Sequence, residues 1–299
     1  MVHFVGAGPG AEDLITVRGK RLLEEADTVI YAGSLVREEL LGYVKEDCAV
    51  YNSAYLTLEQ VVEICEAAEK SGQEVVRLHT GDPSLYGAVR EQMDRLDALG
   101  IPYDSCPGVS SMCGAAAALN LEYTLPDVSQ TVILSRMARR TAVPEREQIA
   151  ALAAHRATMV LFLSAGMTEE LAKELIRGGC REDTPAAIVY HATWPDERTC
   201  LCTVGTLAET AKINGITRTA LIIVGDVVPH SRYRRSDLYH PAFSTMFRDA
   251  QDCGDRPACG EAQARREGPG HRDRPACEED SASGEGPARR PAEDGGEDE

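Results

Sequence analysis

From residue 250 to the end of this 299-residue chain there is no Val, Ile, Leu, Met, Phe, Tyr or Trp. Gly, Pro, Ala, Ser and charged residues cannot bury enough apolar surface to hold a core, so 250–299 is read as a disordered acidic tail. It carries 14 Asp and Glu against 7 Lys and Arg, and a solubilising extension accounts for it more simply than an interaction arm. Paired cysteines are also lacking: the ten cysteines include no C-x-x-C spacing, so no metal site is expected. Cys200 and Cys202 alternate with Leu201 and read as one face of a strand. Long apolar runs are missing too. The longest, such as 159–163, are far too short to cross a bilayer, and no signal-peptide pattern is present, so a cytoplasmic protein without membrane contact is expected. Positive charge is scarce, with a net charge of −17 and a pI of about 4.9. That balance repels nucleic acid and anionic membranes, and no nucleic-acid partner is expected. An anionic substrate would have to meet a local basic patch.

What is present is 43% hydrophobic content over a length that suits one large or two medium domains. The chain is organised around its first turn, where the apolar stretch Val2-His3-Phe4-Val5 runs into Gly6-Ala7-Gly8-Pro9-Gly10. Glycines there let the backbone take positive φ and approach a ligand closely. Gly6-x-Gly8-x-x-Ala11 also satisfies the dinucleotide-binding fingerprint. That reading needs an acidic residue at the end of the second strand, but 28–31 is followed by Ala32-Gly33, and Asp27 precedes the strand. Pro9 removes a donor where a pyrophosphate would want one.

Strands and helices alternate along the chain, which predicts an α/β protein with mainly parallel sheets. In the first half, strands at 2–6, 28–31, 74–79 and 101–105 are separated by helices at 17–26, with Thr16 as N-cap, then 34–44, 57–70 and a stretch through 99. A small-residue helix follows at 112–120. Three strand exits bear glycine: the opening turn, Thr80-Gly81-Asp82-Pro83, and Pro107-Gly108-Val109-Ser110-Ser111. Ligands of open parallel sheets collect beyond the carboxyl ends of the strands, so these turns are expected to share a cleft. In the second half, strands at 131–135, 158–163, 186–190, 199–204 and 219–224 alternate with helices at 144–155, 168–177 and 206–212. A loose stretch at 125–127 reads as a linker. Two α/β domains are therefore expected, at 1–121 and 122–240.

These motifs in this order resemble the tetrapyrrole (corrin and porphyrin) methylases. The resemblance covers Val5 to Gly10, Thr80 to Pro83, Pro107 to Ser111, 163–167, His191-Ala192-Thr193 and Thr219-Ala220-Leu221-Ile222. Within that family, Tyr31-Ala32-Gly33-Ser34-Leu35-Val36 and the run from Ser135-Arg136 to Pro144-Glu145 are similar to the precorrin-4 and cobalt-precorrin-4 C11-methyltransferases. The resemblance implies transfer of a methyl group from S-adenosylmethionine to a corrin precursor on the route to cobalamin. It further implies a cofactor cleft between two α/β domains, and a homodimer. A methylase acting at another ring position, or a nicotinamide-dependent oxidoreductase, remains the alternative.

Carried over motif by motif, the resemblance assigns cofactor contacts to Pro9, Thr80, Gly81, Asp82, Leu85, Ser110, Ser111, Ala165, Ala192, Thr219 and Ala220. Most would act through backbone groups, since small side chains let amides and carbonyls reach a ligand. Asp82 reads equally well as a cap for the helix after Pro83. Arg136, Arg139 and Arg140 form a dense basic cluster in an acidic chain, and corrin precursors carry acetate and propionate carboxylates that arginine forks bind. Tyr31, Ser34, Tyr55 and Tyr86 are candidates to line a macrocycle pocket. His191 is a candidate acid or base whose simpler role is to fill its turn. Relatives that methylate uroporphyrinogen carry an Asp where Ala32 stands, so no catalytic base is assigned.

Overall fold

Three of the first-half strands, β1 (Val2–Gly6), β2 (Thr28–Tyr31) and β4 (Val75–His79), are buried at every position. Continuous burial is what a parallel strand covered on both faces requires. The structure is a computed structural model and describes residues 1–139, 141–229, 233, 234, 236 and 239–251. With β3 (Ala49–Asn52) and β5 (Tyr103–Cys106), these strands form a five-stranded, wholly parallel sheet in the order β3-β2-β4-β1-β5. Helix α1 (Val17–Glu25) opens with Thr16 accepting a hydrogen bond from the Gly19 amide at 3.0 Å, the expected N-cap. Its Leu23 packs with Val36 and Leu40 on one face of the sheet. Helices α2 (Leu58–Lys70) and α3 (Arg90–Leu99) cover the other, through Val61, Cys65 and Leu96.

The second sheet departs from the expectation of parallel strands. Its order is β6 (Val132–Arg136), β7 (Thr158–Phe162), β10 (Ala220–Val224), β8 (Pro185–Tyr190), β9 (Arg198–Thr203). Only β6 and β7 are parallel; β10 runs against both its neighbours, and β8 and β9 form an antiparallel pair. Met159, Leu161, Ile188 and Ile222 face α5 (Ile149–Ala153), α6 (Thr168–Arg177) and α7 (Leu207–Ile213). Cys200 and Cys202 pack on this same side while Leu201 is exposed, as the alternation predicts. On the opposite face, Val160, Val189 and Ile223 meet Ala115 of α4 (Ser111–Leu119), a helix that follows the first sheet in the chain. Its small residues are needed there, since a Cβ at Gly114 would stand 2.9 Å from Pro9 and 3.2 Å from Thr193.

Two expected helices are broken. Residues 34–44 form two 3-10 turns, Gly33–Leu35 and Glu38–Tyr43, because Gly33 takes φ +55° and Arg37 is extended between them. Residues 144–155 form a 3-10 turn, Glu145–Glu147, and the short α5, separated by an extended Gln148. Met1–His240 makes one compact unit, and the described residues 241–251 belong to a second. In the second unit, Thr245 and Arg248 form an isolated bridge and Phe247 is exposed. The expectation of a disordered tail falls almost wholly on 252–299, outside the described residues.

Two cationic side-chain types lie deep in the first sheet. The Arg77 guanidinium donates to Gln92 Oε1, the Ile30 carbonyl and Ser53 Oγ at 3.0–3.1 Å. His79 is 4% exposed and its Nε2 has no hydrogen-bond partner among the described residues. Burial, aided by the Arg77 charge, pushes the imidazole down from 6.5 to about 3. His79 is therefore neutral in the folded chain while the unfolded chain protonates it below about pH 6.5, so stability falls with pH across that window. Between pH 7 and pH 4.5 this group should remove about 2 to 3 kcal/mol. Urea unfolding at both pH values should show a correspondingly smaller acid loss in His79→Leu than in the parent; equal losses would exclude this origin.

Candidate functional site

Because β4, β1 and β5 are neighbours, their three glycine-bearing exits lie side by side. Gly8 and Gly81 form an antiparallel bridge, with the Gly81 amide donating to the Gly8 carbonyl at 2.8 Å and the Gly8 amide to the Gly81 carbonyl at 3.3 Å. Both take positive φ, +82° and +60°. The third exit is held by Asp82, whose Oδ2 accepts from the Gly108 amide at 2.9 Å and whose Oδ1 accepts from the Ser84 amide at 2.9 Å and from the Ser84 hydroxyl. Burial alone would raise its carboxyl, but the hydrogen bonds from Ser84 and Gly108 outweigh it and hold the group below the usual carboxylate range. Asp82 thus ties two turns together; helix α3 begins only at Arg90, so the capping reading does not apply. Ser110 caps α4, accepting from the Met112 amide at 3.4 Å.

The mixed order of the second sheet brings a matching set of ends together. Since β10 is antiparallel to β7 and β8, its start lies beside their carboxyl ends. Leu163 after β7, His191 after β8 and Thr219 before β10 all take positive φ, at +52°, +47° and +53°. Such conformations are costly for residues with a Cβ and gather at binding sites. The His191 amide donates to the Thr219 carbonyl at 3.1 Å, joining two of these ends.

The two sets of turns are clamped to each other by the loop after β8. Thr193 Oγ1 accepts from the Ala11 amide at 2.9 Å, and Trp194 Nε1 donates to the Pro9 carbonyl at 3.0 Å. A Cβ on Gly10 would sit far inside van der Waals contact of the Trp194 ring, so this glycine is required by the clamp.

Between the turns lies a cavity of about 570 Å³. The first sheet contributes Pro9, Thr80, Gly81, Asp82, Leu85, Ser110 and Ser111, and the second contributes Ala165, Ala192, Thr219 and Ala220. All eleven positions assigned to a cofactor therefore face one space, together with Ser34, Tyr86 and Arg139. A second cavity of about 730 Å³ shares Ser34 and Trp194 with the first and is lined further by Arg37, Glu39, Asn52, Tyr55 and Asp196. The remaining sequence candidates sit elsewhere. Arg136 gives its guanidinium to the carbonyls of Met137, Thr141 and Ala142 at 3.1–3.3 Å, bracing the loop that carries Arg139. Tyr31 is 8% exposed and stands behind the second cavity, its hydroxyl accepting from Asn52 Nδ2 at 3.1 Å. Arg140 lies outside the described residues. Trp194, Arg37, Asp196 and Arg218, which also lines the smaller cavity, were not anticipated. Trp194 is the single tryptophan of the chain and directly follows His191-Ala192-Thr193, the one sequence signal that pointed to it.

The Asp expected of a ribose grip is absent here. Asp27 is bound at the opposite end of the sheet, to Lys45 Nζ at 3.0 Å and the Glu74 amide at 2.9 Å. The profile of the tetrapyrrole (corrin/porphyrin) methylases matches residues 1–208. The chain belongs to the tetrapyrrole methylases. Among relatives of this methylase, the cobalt-precorrin-4 C(11)-methyltransferase of Methanocaldococcus jannaschii is 51% identical over 247 residues, covering 83% of this chain and 95% of the relative. The precorrin-4 C(11)-methyltransferase of Mycobacterium tuberculosis is 47% identical over 242 residues, covering 81% and 96%. In three dimensions the methylase resembles the X-ray structure of a cobalt-precorrin-4 methyltransferase, a cobalamin biosynthetic enzyme, with a TM-score of 0.74 and 45% identity over 76% of this chain and 95% of that one. It also resembles uroporphyrin-III C-methyltransferase of Thermus thermophilus complexed with S-adenosylhomocysteine, with a TM-score of 0.65 and 28% identity over 77% and 99%.

The smaller cavity suits S-adenosylmethionine. Its volume lies within the range of small-molecule sites, roughly 300 to 1,000 Å³, and its wall includes Pro9, Gly81 and Ser111 of the three tight turns. Gly81 takes φ +60°, strained for any residue with a Cβ, and a Cβ there would touch the Ser111 amide at 3.4 Å. Phe162, Val189 and Leu221 supply apolar surface, while Thr80, Asp82 and Ser110 supply polar groups.

Proposed function

We propose that this methylase transfers a methyl group from S-adenosylmethionine to C11 of precorrin-4, or of its cobalt-containing form, in cobalamin biosynthesis. The observation that carries the reading is the pair of joined cavities, one walled by close-packed backbone turns and one open enough for a macrocycle, meeting at Ser34 and Trp194. The choice of ring position rests on the relatives, which span four-fifths of the chain and are named for that reaction. The cofactor supplies an electrophilic methyl on a sulfonium. Eleven of the residues lining the smaller cavity hold it, Pro9 by its ring and the others largely through the backbone of the 80–82, 110–111 and 219–220 turns. Holding two reactants in line at the junction of two cavities lowers the barrier by positioning.

Substrate carboxylates that reach past the junction at Ser34 into the smaller cavity meet Arg139, supported by Arg218, with Tyr86 alongside; Arg136 orders the loop beneath Arg139. We also propose that the chain works as a cytoplasmic homodimer without a nucleic-acid partner, as its charge of −17 favours. Two α/β halves, 1–121 and 122–240, are divided by chain connectivity and bridged by α4.

Turnover with precorrin-4 should exceed turnover with uroporphyrinogen III by orders of magnitude; a preference for uroporphyrinogen III would overturn the reading. Arg139→Ala should raise the substrate KM and lower kcat/KM about tenfold to a hundredfold, since a charge-assisted bond to a carboxylate contributes about 1.5 to 3 kcal/mol. S-adenosylmethionine affinity, measured by calorimetry, should change much less than the substrate KM, although Arg139 shares the smaller cavity with the cofactor positions. Arg139→Lys should restore only part of the loss, because the planar fork is missing. Parent kinetics in Arg139→Ala at low and high salt would show a solvated loop instead.

A further inference from the structure

Methyl transfer of this kind needs a proton acceptor, and one side chain at the junction of the two cavities is built for that task. The His191 ring is stacked between Tyr190, with centroids 3.8 Å apart and planes at 17°, and Trp194, at 4.7 Å and 29°. The stack is closed at each end by a guanidinium: Arg198 lies 4.6 Å from the Tyr190 centroid and Arg37 lies 6.0 Å from the Trp194 centroid. Both faces of the imidazole are therefore covered, and only its edges are open to chemistry. One edge is committed. Nδ1 lies 2.9 Å from both carboxylate oxygens of Asp196, and an ionised carboxylate only accepts, so Nδ1 carries the proton. The hydrogen bond from His191 holds the Asp196 carboxyl below its usual range, which keeps it ionised for this role. The other edge, Nε2, has no hydrogen-bond partner among the described residues, and the side chain is 17% exposed. His191 lines the smaller cavity and Asp196 the larger, so the pair spans the place where they meet.

We propose that His191, oriented by Asp196, is the base that takes up the proton released by methyl transfer. The inference rests on the C11-methyltransferase reading. The new bond joins the methyl carbon to a ring carbon, and the methyl–sulfur bond breaks with its electron pair left on sulfur. The sulfonium charge passes to the macrocycle, which sheds it by giving a proton to Nε2 of His191; the imidazolium then returns that proton to water. Asp196 stabilises the imidazolium while it exists. The other charges around the ring are Arg198 on β9, Arg37 beyond Trp194, Arg218 on the cavity wall, and Glu197, which accepts from the Thr193 amide at 2.6 Å. Arg198 and Arg37 are kept from the ring edge by the intervening Tyr190 and Trp194. The positive φ of His191, +47°, is the backbone cost of this placement.

The test combines kinetics with NMR. In His191→Gln, kcat with saturating precorrin-4 should fall about a hundredfold or more, the size of a lost general base. The acid limb of the kcat–pH profile should vanish, and S-adenosylhomocysteine affinity should fall far less than kcat. Asp196→Asn should lower kcat less, because the ring keeps its stacked position. In the parent chain, ¹⁵N spectra of labelled histidine, assigned by loss of the His191 signals in His191→Gln, should show the Nδ1–H tautomer and a shift of Nε2 when S-adenosylhomocysteine is added. Retention of parent kcat and acid limb in His191→Gln, or an Nε2–H tautomer in the parent, would overturn the assignment. A merely structural role would lower thermal stability or cofactor affinity and leave the acid limb in place. Should the parent methylate neither form of precorrin-4 while the tautomer and the Nε2 shift are as described, the dyad stands and the C11 reading falls.

Discussion

Gly108→Ala should abolish cofactor binding and lower stability by about 3 kcal/mol or more, the range of severe overpacking. A Cβ there would drive into the Gly81 carbonyl oxygen and stand 2.7 Å from Gly6 Cα and 2.9 Å from its carbonyl carbon. All of these are backbone atoms of β-strand exits, so no side chain can swing aside. Relief requires the β5 turn to move away from the other two, which breaks the Asp82–Gly108 hydrogen bond and opens the wall of the smaller cavity. Gly100→Ala is the matching control. Its Cβ would meet nothing within 4 Å, and its cost is only that of a left-handed backbone at φ +68°, about 1 kcal/mol. Calorimetry with S-adenosylmethionine and thermal melts of both variants decide the matter. Parent affinity in Gly108→Ala would mean that the three turns do not need their close contact.

Trp194→Ala should be the second most damaging change, with kcat/KM lowered about a hundredfold and cofactor affinity about tenfold. The substitution removes the hydrogen bond to Pro9, the wall shared by the two cavities and one face of the His191 stack. Small displacements of reacting groups have large kinetic effects. Trp194→Phe keeps a ring but not the N–H, and should lose about tenfold, in line with one buried hydrogen bond. Because this is the single tryptophan, the parent's fluorescence should change on adding either cofactor or substrate. Unchanged emission with both, together with parent kinetics in Trp194→Ala, would make the clamp a packing contact without consequence for the reaction.

The glycine exits were legible in the sequence because close backbone approach and positive φ favour glycine: Gly6 and Gly108 crowd each other and the Gly81 carbonyl, and Gly81 takes φ +60°. Thr16 was legible as a cap because its hydrogen bond is local. The arrangement of the second sheet was not. A strand such as β10, buried at every position, reads the same whether its neighbours run with it or against it. The strand β3 was missed because it is an exposed edge without alternation. Trp194 escaped because its partner Pro9 lies 185 residues away in the chain, and Asp196 because its bond to His191, five residues back, depends on the irregular conformation of the loop after β8. Arg136 and Arg139 were inseparable in sequence. Only the structure distinguishes an arginine spent on loop carbonyls from one facing the cavity.

The measurement that bears most directly on the central claim is to incubate the full chain with ¹³C-methyl S-adenosylmethionine and precorrin-4, with and without cobalt, and to locate the label by NMR. The account predicts one methyl per macrocycle, placed on C11. A label at another ring carbon, or no transfer to either substrate under conditions where S-adenosylmethionine binds, would contradict it.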